Sequence, residues 1–479
     1  MQQARYVVLS LAAIAGGRTA ATAGPDDAAQ VLARAQAALG FDRAAGQVIH
    51  ARSVAAADQA YQSDRSYPPF FSAMLTEETW FDPATGVMRT STQTMFPGNG
   101  PPPRQTASDG KRVFTVAEDG PRVLPLSSLQ ARYLDAWAVV ADWAAAPGVR
   151  VAGREIVRDY PRIVLVRATP AGEQRLFVDP KTGFPVELSM VEPHYLWGQR
   201  RIDYVYANWM LAAGIMVAGS SVRLADGATD VSRTVGEVEL VAASQPPALA
   251  LPAEPAWSPV ELPRFLQPLD LTTVAVGPNT YLLSNVGYTE AVTRVGDEVI
   301  VFEATQGDER VRKDLEAIGR LFPGSHKVTV VVTDLAWPHI AGVRAWVARG
   351  ATIVTHAAAR AFLTRVIDRR WTLAPDLLER QRARATVKIV GVTAWTPLAG
   401  GAVTLHPIDG IGSELALMGY VAADRFLWAS DYVQSVTEPT SYAREVVAAV
   451  RRDGLAPERV AAEHTALTPW PQLEALERR

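Results

Sequence analysis

Residues 329–342 read T-V-V-V-T-D-L-A-W-P-H-I-A-G. Every residue from Thr329 to Thr333 is β-branched, and such a run predicts a short buried strand. At Asp334 the pattern breaks into a polar turn that extends to His339. From Ile340 to Arg349 the apolar residues Ile340, Val343 and Val347 fall on one face of an expected helix. A carboxylate and an imidazole are thus expected at the C-terminal edge of a sheet, a usual place for chemistry in α/β folds.

Working outward, the strand, the His-containing turn and the Gly-containing helix start together resemble the signature loop of the metallo-β-lactamase superfamily. That loop reads Thr-His-x-His-x-Asp-His-x-Gly-Gly. Thr333, His339 and Gly342 match it, whereas Asp334, Ala336 and Pro338 stand where the family has its first two His and its Asp. The resemblance covers about residues 262–479. It draws further on Asn279 before a strand, on G-A-T-I-V-T-H at 350–356 and on F-L-W-A-S-D at 426–431. It implies a four-layer αβ/βα sandwich and, in active members, two metals in one groove.

Carried over position by position, the first of those metals has lost its ligands. The two early His fall at Asp334 and Ala336, and the later-loop His at Gly412. Alanine has no donor atom, and one carboxylate alone does not hold a transition metal tightly. The second site keeps more. His339 matches the signature's last His, Asp431 the bridging carboxylate and His464 the C-terminal His; only the signature Asp is replaced, by Pro338. The resemblance therefore implies either an open three-ligand site for one zinc or iron ion or no cofactor at all. In the first case Asp334 would be a fourth ligand or a catalytic base. In the second, His339 is a satisfied polar residue at a helix start, Asp431 bonds its own loop and His464 packs beside Trp470. Glu303, the family's strand-end acid in altered form, is expected to support the loop. His406 lies too early to match a ligand, His356 ends a strand, and His50, His194 and His326 have no partner at metal-ligand spacing.

The residues before this region have a different pattern. A helix is expected at 26–40, closed by Gly40, and an amphipathic helix at 127–146. Hairpin signals punctuate strands: Asp82-Pro83-Ala84-Thr85-Gly86, Asp109-Gly110, Asp119-Gly120, Asp179-Pro180-Lys181-Thr182-Gly183, then Gly214 and Asp226-Gly227. This order, with the Asp-Pro-x-Thr-Gly-x-Pro turn, resembles the lipoprotein-carrier-like half-barrels of the bacterial envelope. It implies a curved sheet whose apolar face is either an open trough for a hydrophobic ligand or simply filled. Tyr195, Trp197, Tyr204, Tyr206 and Trp209, with Arg200 and Arg201, are either a ring-stacking surface or the aromatic face of a sheet. A Pro/Ala linker at 244–261 separates 26–243 from 262–479.

The expected fold class is α+β: a curved antiparallel sheet domain with helices, then a metallo-β-lactamase-like sandwich. The chain has 479 residues, no cysteine and a formal charge of -3. Disulfides, thiolate sites and a Cys nucleophile are excluded, and nothing draws the chain to nucleic acid. Residues 1–23, with Arg5, an apolar run and Ala21-Thr22-Ala23, read as a secretory signal, so a periplasmic or secreted protein is expected. No later segment is long and apolar enough to span a bilayer. No G-x-S-x-G elbow, phosphate loop or dinucleotide fingerprint stands between a strand and a helix. Three functions are carried forward: a non-catalytic groove for a small ligand or partner, a single-metal hydrolase, and a carrier of a hydrophobic ligand.

Overall fold

In the computed structural model, residues 27–477 are described, apart from 63–69, 96–101, 117–121, 125–130, 170–171, 245–250, 252–269, 286, 412 and 439. The expected signal segment, most of the linker and Gly412 lie outside the described residues. Among those described, no helix is long and apolar enough to cross a membrane.

The N-terminal half is one antiparallel sheet of thirteen strands among the described residues. The chain enters in the middle of it. The first strand, Gln47–Asp58, pairs with the last, Ala228–Ala242, starting at Gln47 opposite Ala242. Hairpins run outward from the first strand to Arg122–Val123, and outward from the last back to Arg150–Val157. Turn chemistry sets this meander. Ala213-Gly214 and Asp226-Gly227 both have positive φ at two successive residues, the conformation that matches strand twist in two-residue turns. In the two Asp-Pro-x-Thr-Gly turns, the Asp82 and Asp179 side chains accept hydrogen bonds from Ala84 N and Lys181 N at 2.9 and 2.8 Å.

Two helices cover one face of the sheet. Helix α1, Ala28–Leu39, is capped by Asp27, whose carboxylate accepts from Ala29 N, and ends at Gly40 with φ 81°. Helix α2, Ala136–Ala144, is shorter than the expected 127–146. Just before it, buried Arg132 is held by Asp142 at 2.6 Å and by Gly86 O at 2.6 Å. Val31, Leu32, Val139 and Trp143 pack with Ile163, Leu188, Ile202 and Tyr204, while Ala35, Leu39, Trp137 and Val140 pack with Ile49, Phe81 and Val217. Over these residues the apolar face is filled by the helices.

Among the described residues the C-terminal half has two mixed sheets. The first has seven strands in sequence order, Thr272–Ala275, Thr280–Asn285, Tyr288–Val295, Glu298–Phe302, Lys327–Val332, Thr352–His356 and Ile389–Val392. From Glu298–Phe302 onward they are parallel. The second has six, Thr396–Leu398, Val403–Pro407, Leu417–Val421, Phe426–Trp428, Arg459–Ala462 and Thr465–Pro469, with Phe426–Trp428 and Arg459–Ala462 parallel. Ile300, Phe302, Val331 and Val354 from the first meet Leu405, Leu417, Phe426 and Trp428 from the second in one apolar cluster.

Helices border this pair of sheets. Helices α3 (Asp308–Leu321), α4 (Trp337–Ile340), α5 (Val343–Ala348), α6 (Arg360–Asp368) and α7 (Leu377–Gln381) pack with the first sheet. Helices α8 (Ser441–Arg452) and α9 (Trp470–Glu477) pack with the second. The single helix expected at 340–349 is two helices, and the turn before it is already helical from Trp337. Pro338 sits in the first turn of α4, where its missing N–H is not needed. The break falls at Gly342, whose N–H donates to Ala304 O at 2.6 Å. A Cβ there would lie 2.9 Å from both Ala304 O and Thr305 O, so a continuous helix with side chains cannot pass this point. The strand Thr465–Pro469 was also not anticipated.

The halves are docked through the hairpin tip between Pro185–His194 and Gly198–Ala212. Leu196 is buried in the first sheet's helix-side core, with Tyr195 and Trp197 beside it. Trp197 meets Trp337 and Phe362 edge-on, at 5.7 and 5.3 Å between centroids. Arg369 donates to Trp197 O at 2.9 Å and to Gln199 O at 2.6 Å. The aromatic cluster at 195–209 is therefore divided: Tyr195 and Trp197 dock the halves, Tyr204 and Tyr206 fill the N-terminal core, and Trp209 stacks on Phe184.

Candidate metal centre

Four strand ends converge on one place. Glu303 follows Phe302, Thr333 and Asp334 follow Val332, Ser430 and Asp431 follow the strand ending at Trp428, and Glu463 and His464 follow Ala462. Each is the C-terminal end of a strand in a parallel pair. Glu303 and Ser430 have φ of 82° and 56°, a conformation that costs a non-glycine residue about 1–3 kcal/mol and that concentrates at functional sites. The chain holds it here to aim both side chains at Thr333, which donates to Glu303 and lies 2.7 Å from Ser430 Oγ.

The sequence-derived residues come together. One donor atom each from His339, Asp431, Glu463 and His464 all lie within 4.8 Å of one another. Asp334 stands next to this group, its carboxylate oxygens 3.0 and 3.1 Å from His339 Nδ1. It also accepts from Ala336 N at 2.8 Å and from Ser430 Oγ at 3.1 Å. His464 donates from Nδ1 to Gly287 O at 2.7 Å, and its Nε2 lies 3.4 Å from Asp431 Oδ1. Tyr288 walls both imidazoles, with ring centroids 5.9 Å from His339 and 5.2 Å from His464. His339 and Asp334 are buried, while the side chains of His464 and Asp431 retain 35% and 22% of their exposure, so the group opens on one side.

Glu463 is the member that sequence reasoning missed. It is fully buried, and its Oε2 lies 2.5 Å from His339 Nδ1 in an ion pair without hydrogen-bond geometry. Its position beside His464, on an apolar strand whose next residue should face inward, was the available signal. The loop after Ala462 brings both neighbours into the group.

The electrostatics follow from burial and mutual proximity. Burial disfavours a charge on His339, yet Asp334, Glu463 and Asp431 outweigh it and hold the imidazole well above its usual range. Burial raises Glu463, Glu303 and Asp431, and neighbouring carboxylates add to it. Asp334 moves down instead, because His339 and its hydrogen bonds overcome its burial.

A second group, Glu303, Asp334 and Glu463, also places its oxygens within 4.8 Å. It differs in how those oxygens are used. Glu303 accepts from Trp428 Nε1 at 2.9 Å and from Thr333 N at 3.2 Å, besides the Thr333 hydroxyl. Asp334 is committed to Ala336, Ser430 and His339. In the first group Asp431 Oδ1 and both Glu463 oxygens are buried without any hydrogen bond. His406 is elsewhere, between Asp453 and Thr404 at 2.9 Å each, and His356 caps the turn before α6 by accepting from Ala358 N.

No protein-family model and no curated protein sequence matches the chain. Among solved structures it is similar to DIM-1 metallo-β-lactamase, at 12% identity and a TM-score of 0.35, covering 44% of this chain and 96% of that one. The same enzyme exposed to ceftazidime gives 13% identity, a TM-score of 0.35 and the same coverage, 44% and 96%. TMB-1, a structure addressing substrate and inhibitor binding, gives 10% identity and a TM-score of 0.34, again with 44% and 96% covered. At these identities the likeness concerns fold alone; nothing about activity is taken from it.

Proposed function

We propose that the C-terminal half is a four-layer αβ/βα sandwich of metallo-β-lactamase type, with one divalent cation held by His339, Asp431, Glu463 and His464, and that it acts as a metal-dependent hydrolase. The observation that carries this is the set of buried carboxylate oxygens without donors, Asp431 Oδ1 and both oxygens of Glu463. A buried polar group left without a partner costs about 1–3 kcal/mol and more when charged, and a cation would satisfy all three atoms at once. Two imidazoles and two carboxylates suit zinc or iron(II). The Nδ1 bond of His464 to Gly287 O is the kind of outer contact that orients a ligating imidazole.

When bound, the cation would supply Lewis acidity and a lowered pKa for water. The chain's own residues do the rest. Asp334 fixes the ring of His339, and with its oxygens so occupied we give it this positioning role in place of the base or fourth ligand expected from sequence. Glu463 stands where Pro338 cannot serve, restoring a carboxylate to the group. Tyr288 closes one wall and Asp431 faces the open side.

The test is metal content. The full chain, stripped with chelator and titrated with zinc, should take up about one equivalent. His464→Ala and Glu463→Gln should each lower affinity tenfold or more, and ester, lactam or phosphodiester hydrolysis should follow zinc occupancy. A chain that binds under a tenth of an equivalent refutes the reading. One observation favours a second reading, a non-catalytic groove: His339, charged between Asp334 and Glu463, already puts a positive charge among the carboxylates. Under that reading no zinc binds and no hydrolysis appears. A carrier role is less favoured, since α1 and α2 occupy the N-terminal sheet's apolar face.

A further inference from the structure

Next to the docking hairpin lies a guanidinium with no hydrogen-bonding partner among the described residues. Arg200 is 7% exposed, yet among the described residues it makes neither a hydrogen bond nor an ion pair. The carboxylates whose charge reaches it pair with other arginines, although Glu192 keeps one buried oxygen, Oε2, without a hydrogen bond. Glu192, directly across the ladder, turns to Arg223 at 3.5 Å. Asp230 is bonded to Arg223. Asp226 receives Arg369 at 2.9 Å. Three carboxylates thus serve two other arginines, and Arg200 lies only over the ring of Trp337, at 5.7 Å to its centroid.

Five N–H donors in a planar fork, on a residue only 7% exposed, are costly unless acceptors meet them. Trp337 ties this guanidinium to the centre, because the same residue opens α4, the helical turn that carries His339. Tyr195, beside the hairpin tip, lies in the electrostatic field of both Arg200 and Tyr288, and Tyr288 walls His339 and His464.

We propose that Arg200 is an oxyanion-binding residue, contributed by the N-terminal sheet, that takes the carboxylate or phosphoryl group of a small ring-bearing substrate of this centre. A guanidinium fork matches two oxygens of either group, and Trp337 with Tyr195 offers faces for a ring. As a substrate assignment this rests on the hydrolase reading; as an anion site it does not, and the test separates them.

Binding of benzoate, phenyl phosphate and neutral benzamide to the full chain is measured by calorimetry after metal has been removed with chelator, so that no cation can hold the anions. At least one anion is expected to bind tenfold or more tightly than benzamide, and the stronger of the two identifies the oxyanion. Arg200→Gln, with unchanged melting temperature, should erase that preference. Equal binding of anions and benzamide by the wild-type chain overturns the proposal without recourse to any variant. A preference that persists in Arg200→Gln overturns it as well. Zinc uptake is measured separately, so failure of the metal reading leaves this result interpretable.

Discussion

Gly342 shows how tight packing can demand glycine at one position of the stretch 329–342. Its φ of -87° is open to any residue, so space alone demands glycine. A Cβ would press on two backbone carbonyls and on Val311 Cγ2 at 2.9 Å, none of which moves easily. Gly342→Ala should destabilise the chain by about 1–3 kcal/mol, the range for overpacking, and weaken zinc uptake by displacing α4. Gly319, inside α3 with nothing within 4 Å of a Cβ, is the contrast: Gly319→Ala should stabilise by about 0.5–1 kcal/mol. Urea denaturation of both variants checks the pair, and equal effects would contradict the packing argument. At Glu303 the altered strand-end acid supports the loop, bonded to Thr333 and Trp428. Trp428→Phe removes the indole donor and should cost about 1–3 kcal/mol, read from the same denaturation curves.

At the level of elements, the docking hairpin does what neither sheet does alone. Its tip is an aromatic plug, with Leu196 buried and Trp197 against Trp337 and Phe362. Gly198, φ 66°, is pressed so closely that a Cβ would sit 2.5 Å from Arg370 O. Trp197→Ala should cost about 3 kcal/mol, the low end for removing a packed Trp. It should also raise hydrogen exchange at 194–200 and in α4 together. Faster exchange confined to the hairpin, with α4 unchanged, would show that the plug does not brace the helix bearing His339. Turn signals at 179–183 and Gly214 bracket this hairpin, but they could not say that its tip leaves its own sheet. Alternating aromatic residues look alike whether they face their own core or a neighbour's.

Across the whole molecule, docking carries a pH dependence. His194 Nδ1 accepts hydrogen bonds from Leu196 N at 3.1 Å and Trp197 N at 3.2 Å, so the ring must be neutral on that nitrogen. Burial first, then Arg200, Arg223 and Arg369, hold its pKa well below the usual histidine value of about 6.5. The unfolded chain therefore binds the proton that the folded chain refuses, and stability falls as pH drops below about 6.5. The His194 contribution should be unchanged from pH 8 to 7 and be lost from 6.5 to 5.5, so the melting-temperature difference between the chain and His194→Gln, taken at each pH, should shift in the variant's favour over that window. An identical slope in the variant would place the dependence elsewhere.

The sequence by itself determined what local physics controls. β-Branched runs and helical spacing located most C-terminal elements, and paired turn residues at Gly214 and Asp226-Gly227 divided 201–243 into the strands observed. The resemblance to the metallo-β-lactamase signature, not local physics, pointed to His339, Asp431 and His464, whose donor atoms the structure brings within 4.8 Å of one another. Tertiary structure alone decided what depends on contacts distant in sequence. The break at Gly342 comes from carbonyls about forty residues earlier. Glu463 enters the donor group because a loop turns two adjacent side chains to one side. Among the described residues Arg200 has no ion pair, because Glu192 and Asp230 pair with Arg223 and Asp226 with Arg369. Spacing in a sequence reports which face a residue starts from; only the packed chain settles which partners are left for it.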